Sequence, residues 1–241
     1  MSKDTLYSQA HDRLAPFEFD EQVARVFPDM IKRSVPGYSH IILNIGVLAG
    51  QYAQPNSRLY DLGSSLGAAS VAMRHRVQAP GVEIVAIDNS AAMLQRSRDF
   101  LDTEESDIPV ITQCADIRNV DISNASVVVL NFTLQFVPPT DRLALLQSIH
   151  HGLNPGGILI LSEKLASADT EAQQWMDKHH TLFKRAQGYS DLEIAQKRAA
   201  IENVLIPDTA EAHHERLAHA GFSASHQWFH SFNFASFVAH K

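Results

Sequence analysis

Leu59-Tyr60-Asp61-Leu62-Gly63-Ser64-Ser65-Leu66-Gly67-Ala68-Ala69-Ser70 decides how this chain is read. A short apolar run carries an acid, two spaced glycines follow, and small helix-forming residues come next. That is the pattern of a strand, a sharp turn and a helix, the unit that opens a ligand crevice in a parallel α/β sheet. Gly63 and Gly67 lack a Cβ, so the backbone can turn tightly there and approach a ligand. The helix start that follows offers free N–H groups. The dinucleotide fingerprint G-x-G-x-x-G is not met, because Ser65 stands where its second glycine must let the backbone touch a pyrophosphate. Asp61, just before the turn, would repel a diphosphate. It suits a ligand with an adenosine and a positively charged amino acid end.

Outward from that stretch, strand and helix signals alternate. Leu59–Leu62 reads as the first strand and Leu66–Val77 as the first helix. Gly81–Asp88 is a β-branched run ending in an acid. Ser90–Leu101 reads as a helix with Ser90 as N-cap. Pro109–Gln113 is a short strand, and Ala125–Phe132 is apolar enough to be buried on both faces. Asp141–Gly152 is helical, Asn154-Pro155-Gly156-Gly157 a turn, and Ile158–Glu163 the next strand. Residues 169–220 hold about three polar helices, and Ser223–Phe229 and Phe232–Ala239 form two closing strands. The sum is a single α/β domain with a doubly wound, mostly parallel seven-stranded sheet. Residues 1–56 should form an N-terminal helical cap, broken at Pro28 and at Pro36-Gly37. Residues 57–165 are the binding core, 166–220 a helical lid or dimer insertion before the last two strands, and 221–241 those strands.

The strand ends supply the candidate site. Asp88 ends the second strand, 25 positions after Gly63, where an acid accepts hydrogen bonds from ribose hydroxyls. Asn89 follows and can face the adenine edge. Asp116 follows the third strand and can receive the adenine amine, with Ile117 packed on the ring. Asn131 closes the fourth strand, near the amino acid end of such a ligand. Tyr38, after the Pro-Gly turn, would hold a hydroxyl at the lip of the crevice. No residue here is an obvious base for deprotonating a nucleophile.

Composition narrows the rest. The 241 residues carry a net charge of −7, a poor balance for general nucleic-acid binding. No apolar run reaches the roughly 20 residues of a membrane span. The first residues show no apolar segment behind a basic one, and the single cysteine, Cys114, allows no internal disulfide, so a cytoplasmic protein is expected. The adjacent pairs His150-His151, His179-His180 and His213-His214 lack the spacing of a zinc helix, and no metal is expected.

Two resemblances sharpen this reading. Asp61-x-Gly63-x-x-x-Gly67 resembles the first motif of class I S-adenosylmethionine-dependent methyltransferases, which implies a Rossmann-like methyltransferase fold. Val26-Phe27-Pro28-Asp29-Met30-Ile31-Lys32-Arg33-Ser34-Val35-Pro36-Gly37-Tyr38 is similar to the N-terminal signature of the bacterial carboxy-S-adenosyl-L-methionine synthases. So are Val128–Phe136, Gly188–Ile194, Gln196-Lys197-Arg198 and Glu202-Asn203-Val204, and the likeness runs from about Asp4 to the end. It implies conversion of S-adenosyl-L-methionine and prephenate to carboxy-S-adenosyl-L-methionine and phenylpyruvate. It also implies a homodimer whose product serves a tRNA carboxymethyltransferase acting on the wobble uridine. Carried over by motif, the ligand residues are Tyr38, Gly63, Ser64, Ser65, Asp88, Asn89, Asp116, Ile117, Asn131 and Arg198. Ser64 departs from the more usual Gly-Cys-Ser, which a small polar residue should tolerate. Arg198 is the candidate partner of the new carboxylate, since a guanidinium pairs bidentately with carboxylates. Arg33 and Lys197 are weaker candidates for prephenate. The competing readings are a conventional methyltransferase and a non-catalytic carrier of an S-adenosyl ligand.

Overall fold

The computed structural model describes residues 3–10, 17–103 and 106–241. The remaining residues of the expected N-terminal cap lie outside that description.

Two helices come first, α1 (Glu21–Ser34) and α2 (Tyr38–Tyr52). Asp20 caps α1, its carboxylate accepting from the Val23 N–H at 2.9 Å. Pro28 was expected to break this helix, and it does not. A proline inside a helix removes a hydrogen bond and costs about 3 kcal/mol. Here Val23, Val26 and Met30, on both sides of Pro28, are buried in one cluster with Met93, and that packing outweighs the local defect. The Pro36-Gly37 break does occur. Gly37 has φ +75°, and the Phe229 ring fills the space where a Cβ would sit.

The sheet follows. Its strands are β1 (Arg58–Leu62), β2 (Glu83–Asp88), β3 (Val110–Cys114), β4 (Ala125–Asn131), β5 (Leu153–Lys164), β6 (Ala224–Ser231) and β7 (Phe234–His240). The order across the sheet is β3-β2-β1-β4-β5-β7-β6. β1 to β5 pair in parallel, and β7 runs antiparallel between β5 and β6. The expected doubly wound, mostly parallel seven-stranded sheet is therefore present. Its two faces are read by alternation along the strands. Val127, Val129, Ile158 and Ile160 join Ile41, Ile45 and Met73 on one face. Val128, Leu130, Leu159 and Leu161 join Leu145, Ile149 and Leu217 on the other. The expected turn at 154–157 is a bulge inside β5: Leu153 pairs with Ala125, then Ile158 with Val127.

The other helices are α3 (Ala68–Arg74), α4 (Ala91–Leu101), α5 (Arg142–Gly152), α6 (Thr170–Ala186), α7 (Asp191–Ile201) and α8 (Ala210–His219). α3 is shorter than the expected 66–77, because residues 63–67 are held in a loop with positive φ at Gly63, Ser65 and Gly67. Between β5 and β6 the insertion is not uniform. α8 packs against α5 and places Leu217 in the core of one sheet face. α6, α7 and the segment after α7 reach the carboxyl edge of the sheet. Among the described residues no helix is long and apolar enough to cross a membrane.

Candidate functional site

A cavity of about 750 Å³ opens at the carboxyl ends of the strands, and the loop after β1 forms its floor. The Gly63 and Ser64 N–H groups donate to the Ile87 carbonyl at 2.8 and 2.9 Å, which ties the loop to β2. Gly63 (φ +78°) is a required glycine, since Thr133, from the loop after β4, occupies the place of a Cβ. Asp61 is buried and accepts from the Ser70 N–H at 3.0 Å and the Ser70 hydroxyl at 2.7 Å, anchoring the start of α3. Burial pushes its carboxyl up to about 6 against those hydrogen bonds, and the Asp88 charge adds to the rise.

All ten residues singled out from the sequence, from Tyr38 to Arg198, line this one cavity. Asp88 ends β2; its two oxygens accept from the Ser65 and Ser90 N–H groups, both at 2.8 Å. Burial raises its proton affinity, opposed by those backbone donors. Its carboxylate thus shapes the floor as well as facing the cavity. Asn89 is exposed, and its carbonyl accepts from the Cys114 thiol at 3.8 Å. Asp116 is tied to Arg118 at 2.6 Å, and Arg118 reaches Asp141 at 2.7 Å. The guanidinium holds the Asp116 carboxyl below its ordinary range. Ile117 is buried beside it.

The end of β4 is under-satisfied. Asn131 Oδ1 and the Ser64 hydroxyl are buried with no hydrogen-bond partner among the described residues. Unpartnered buried polar atoms are rare in native folds, and these two belong to residues that line the cavity. A carbonyl oxygen at this point is suited to an ammonium group. Phe132, directly after it, has φ +61°, a conformation costly for a non-glycine residue. Tyr38, at the start of α2, lies 6.4 Å ring to ring from Phe132. Burial, and then the Asp61 charge, drive its phenol further from ionisation.

The opposite end of the cavity is basic. Lys164 from β5, Lys184 from α6, and Lys197 and Arg198 from α7 all line it. Burial lowers Lys184 to about 8 and Lys197 to about 7. Lys164 is lowered by burial as well, and Arg198 adds to the effect. His180, its ring nitrogen 2.8 Å from the Ser34 carbonyl, is pushed down to about 3 by burial and by Lys184. Arg198 lines the cavity of its own chain and touches the Thr181 hydroxyl at 3.3 Å.

Sequence reasoning missed Lys164 and Lys184, which carry no local motif. It also missed Glu163, fully buried at the end of β5. Glu163 accepts from the Leu134 and Gln135 N–H groups, both at 2.9 Å, and so fixes the loop after Asn131. Burial pushes it up to about 8. Arg33 is not in the cavity. Its Nε donates to the Gln187 carbonyl at 2.8 Å, it pairs with Asp29 at 3.1 Å, and it lies 3.8 Å over the Tyr189 ring. It is a structural clamp. Among the described residues no group of His, Cys, Asp and Glu is arranged to hold a metal ion.

A methyltransferase domain family matches residues 59–157, from β1 into β5. The carboxy-S-adenosyl-L-methionine synthase of Trichlorobacter lovleyi is 59% identical over 239 residues, 99% of this chain and 98% of that protein. The protein of the same name from Vibrio cholerae is 57% identical over 240 residues, 99% of this chain and 97% of that protein. Among solved structures, human N-acetylserotonin methyltransferase in complex with S-adenosylmethionine matches with a TM-score of 0.61 at 19% identity, over 92% of this chain and 55% of that one. That likeness identifies the fold as the methyltransferase one.

Proposed function

The chain belongs to the carboxy-S-adenosyl-L-methionine synthase family, and from that premise we propose that it converts S-adenosyl-L-methionine and prephenate to carboxy-S-adenosyl-L-methionine and phenylpyruvate. The observation that carries this reading is the distribution of charge in the cavity: Asp61 and Asp88 at the ends of β1 and β2, with Asp116 paired to Arg118 beyond them, and Lys164, Lys184, Lys197 and Arg198 gathered from β5, α6 and α7. A sulfonium ligand with an ammonium group suits the acidic end. The basic end is superfluous to plain methyl transfer and suits an anionic co-substrate.

In this reaction prephenate breaks its bond to the ring carboxylate and its bond to the ring hydroxyl, and aromatises to phenylpyruvate. The departing hydroxide takes a proton from the sulfonium methyl group and becomes water. The resulting ylide carbon bonds to the CO2. Atoms balance without an oxidant or a side-chain base. The protein's part is to orient the two substrates and exclude water. Asp88 would accept from the ribose hydroxyls, Asp116, Asn89 and Ile117 would frame the adenine, and Asn131 and the backbone of residues 63–65 would hold the amino acid end. Tyr38 would close the lip, and Arg198 would pair with the new carboxylate.

On this reading residues 1–56, and α6 and α7 within 166–220, add the carboxylation chemistry to the binding core at 57–165. The protein works in the cytoplasm as a homodimer, and its product goes to a tRNA carboxymethyltransferase that modifies the wobble uridine. The deciding experiment incubates the purified protein with S-adenosyl-L-methionine and prephenate. Mass spectrometry should find an S-adenosyl species heavier by one CO2, with phenylpyruvate in equal amount. Methyl transfer alone, or a bound ligand with no phenylpyruvate formed, would refute the proposal.

A further inference from the structure

We infer that Lys164 and Lys184 form a dedicated subsite for a second carboxylate of the co-substrate, separate from the carboxylate partner Arg198. This rests on the proposed function, in which the cavity receives a dicarboxylic acid.

Lys184 is more than nine-tenths buried on α6, and Lys164 ends β5, the strand next to the one that ends in Asn131. Both line the cavity. Neither side-chain nitrogen makes a hydrogen bond or an ion pair within 4 Å among the described residues. Asp177 on α6 is the carboxylate whose charge reaches both, and Arg198 opposes it at both. Lys197 differs: its ammonium is 2.9 Å from the Ser34 hydroxyl and 3.9 Å from Asp4, so the fold already uses it.

Buried cations are normally paired, since desolvation without a partner is expensive. Two that line one cavity, with no carboxylate within ion-pair distance of either ammonium among the described residues, are a preorganised anion site. Burial lowers the proton affinity of both, and an incoming carboxylate would restore it. Two lysines are point charges, able to hold a freely rotating side-chain carboxylate, whereas a guanidinium fixes a planar one bidentately. A co-substrate with one carboxylate to lose and one to keep needs both devices. The geometry gives Lys164 and Lys184 the carboxylate that is kept.

The test uses the protein saturated with S-adenosylhomocysteine, which has no methyl group to carboxylate, so that binding is read without turnover. Prephenate is titrated into it by calorimetry, for the wild type, Lys164→Met, Lys184→Met and Lys184→Arg. Each methionine variant should raise the prephenate Kd by about ten- to a hundredfold, as expected when a hydrogen bond to a charged group is lost. Lys184→Arg should recover most of the affinity, and S-adenosylhomocysteine should bind all four proteins alike. Unchanged prephenate affinity in both methionine variants would overturn the subsite, as would equal losses for S-adenosylhomocysteine. If the wild type still forms phenylpyruvate in either case, the proposed function stands without the subsite. A wild type that neither binds nor converts prephenate overturns both.

Discussion

Asn131→Leu should make the unliganded protein more stable and the ligand complex weaker. Asn131 closes β4, and its Oδ1 is buried with no partner among the described residues. An unsatisfied buried carbonyl destabilises the empty fold by about 1–3 kcal/mol. Leucine has a similar shape and no polar atom, so the variant should regain that amount. For a chain of this length each kcal/mol moves Tm by about 2–4 °C, so calorimetry should register a rise of several degrees. The bound state moves the other way. A hydrogen bond from an ammonium to this oxygen contributes about 1.5–3 kcal/mol, so S-adenosylhomocysteine should bind about ten- to a hundredfold more weakly. Methylthioadenosine, which has the same nucleoside and no amino acid end, supplies the internal control and should bind wild type and variant equally. If methylthioadenosine weakens as much as S-adenosylhomocysteine, the change has distorted the whole cavity. If Tm falls while both affinities hold, Asn131 merely completes a strand end and the reasoning is wrong.

Asp61 has a folded-state pKa of about 6, above its ordinary value of 3.8. In the empty protein its contribution to stability therefore declines as pH rises from about 4 to about 6. A cationic ligand favours the ionised form, so S-adenosyl-L-methionine affinity should fall as pH drops below about 6, and Asp61→Asn should flatten that dependence in calorimetric titrations. Arg33→Met should lower stability by about 1.5–3 kcal/mol, as expected for losing hydrogen bonds made by a charged group, and leave the prephenate Kd unchanged. A raised Kd with an unaltered Tm would return Arg33 to the substrate site. Gly63→Ala puts a side chain at φ +78° and against Thr133. It should lose at least about 1–2 kcal/mol of stability in denaturant titrations and weaken every adenosine ligand. Wild-type affinity would show that the floor loop is not held as described.

The residues legible in the sequence were a glycine, acids and an amide at the ends of parallel strands. Gly63, Asp88, Asp116 and Asn131 could be found because the end of a parallel strand fixes where a residue points, and the strands were marked by their own apolar runs. The basic wall could not be found this way. Lys164 and Lys184 lie 20 positions apart, one on a strand and one on a helix, and nothing local distinguishes them from solvated surface lysines. Arg33 failed for the reverse reason: a charged residue in an amphipathic helix carries no local sign that Asp29, Gln187 and Tyr189 will enclose it. Pro28 misled because helix propensity is a local energy and the packing of Val23, Val26 and Met30 is not.

The sheet order also accounts for the polarity of the site. Across the carboxyl edge, in the spatial order β3-β2-β1-β4-β5, stand Asp116, Asp88, Asp61, Asn131 and Lys164. The series runs from acid through neutral amide to base. The same run holds in chain order, and the placing of β1 between β2 and β4 sets the strand of Asp61 directly beside that of the amide. On the proposed function, a ligand lying along this edge would be sorted by charge, its positive groups toward β1 and an anionic partner toward β5. Asn131 stands at the crossover, beside the switch between β1 and β4 where such sheets open. An acid there would draw the cationic ligand further but repel the anion beside it, and a base would do the opposite. On the proposed function, a neutral residue with an unspent oxygen serves both neighbours, which favours an asparagine at that strand end.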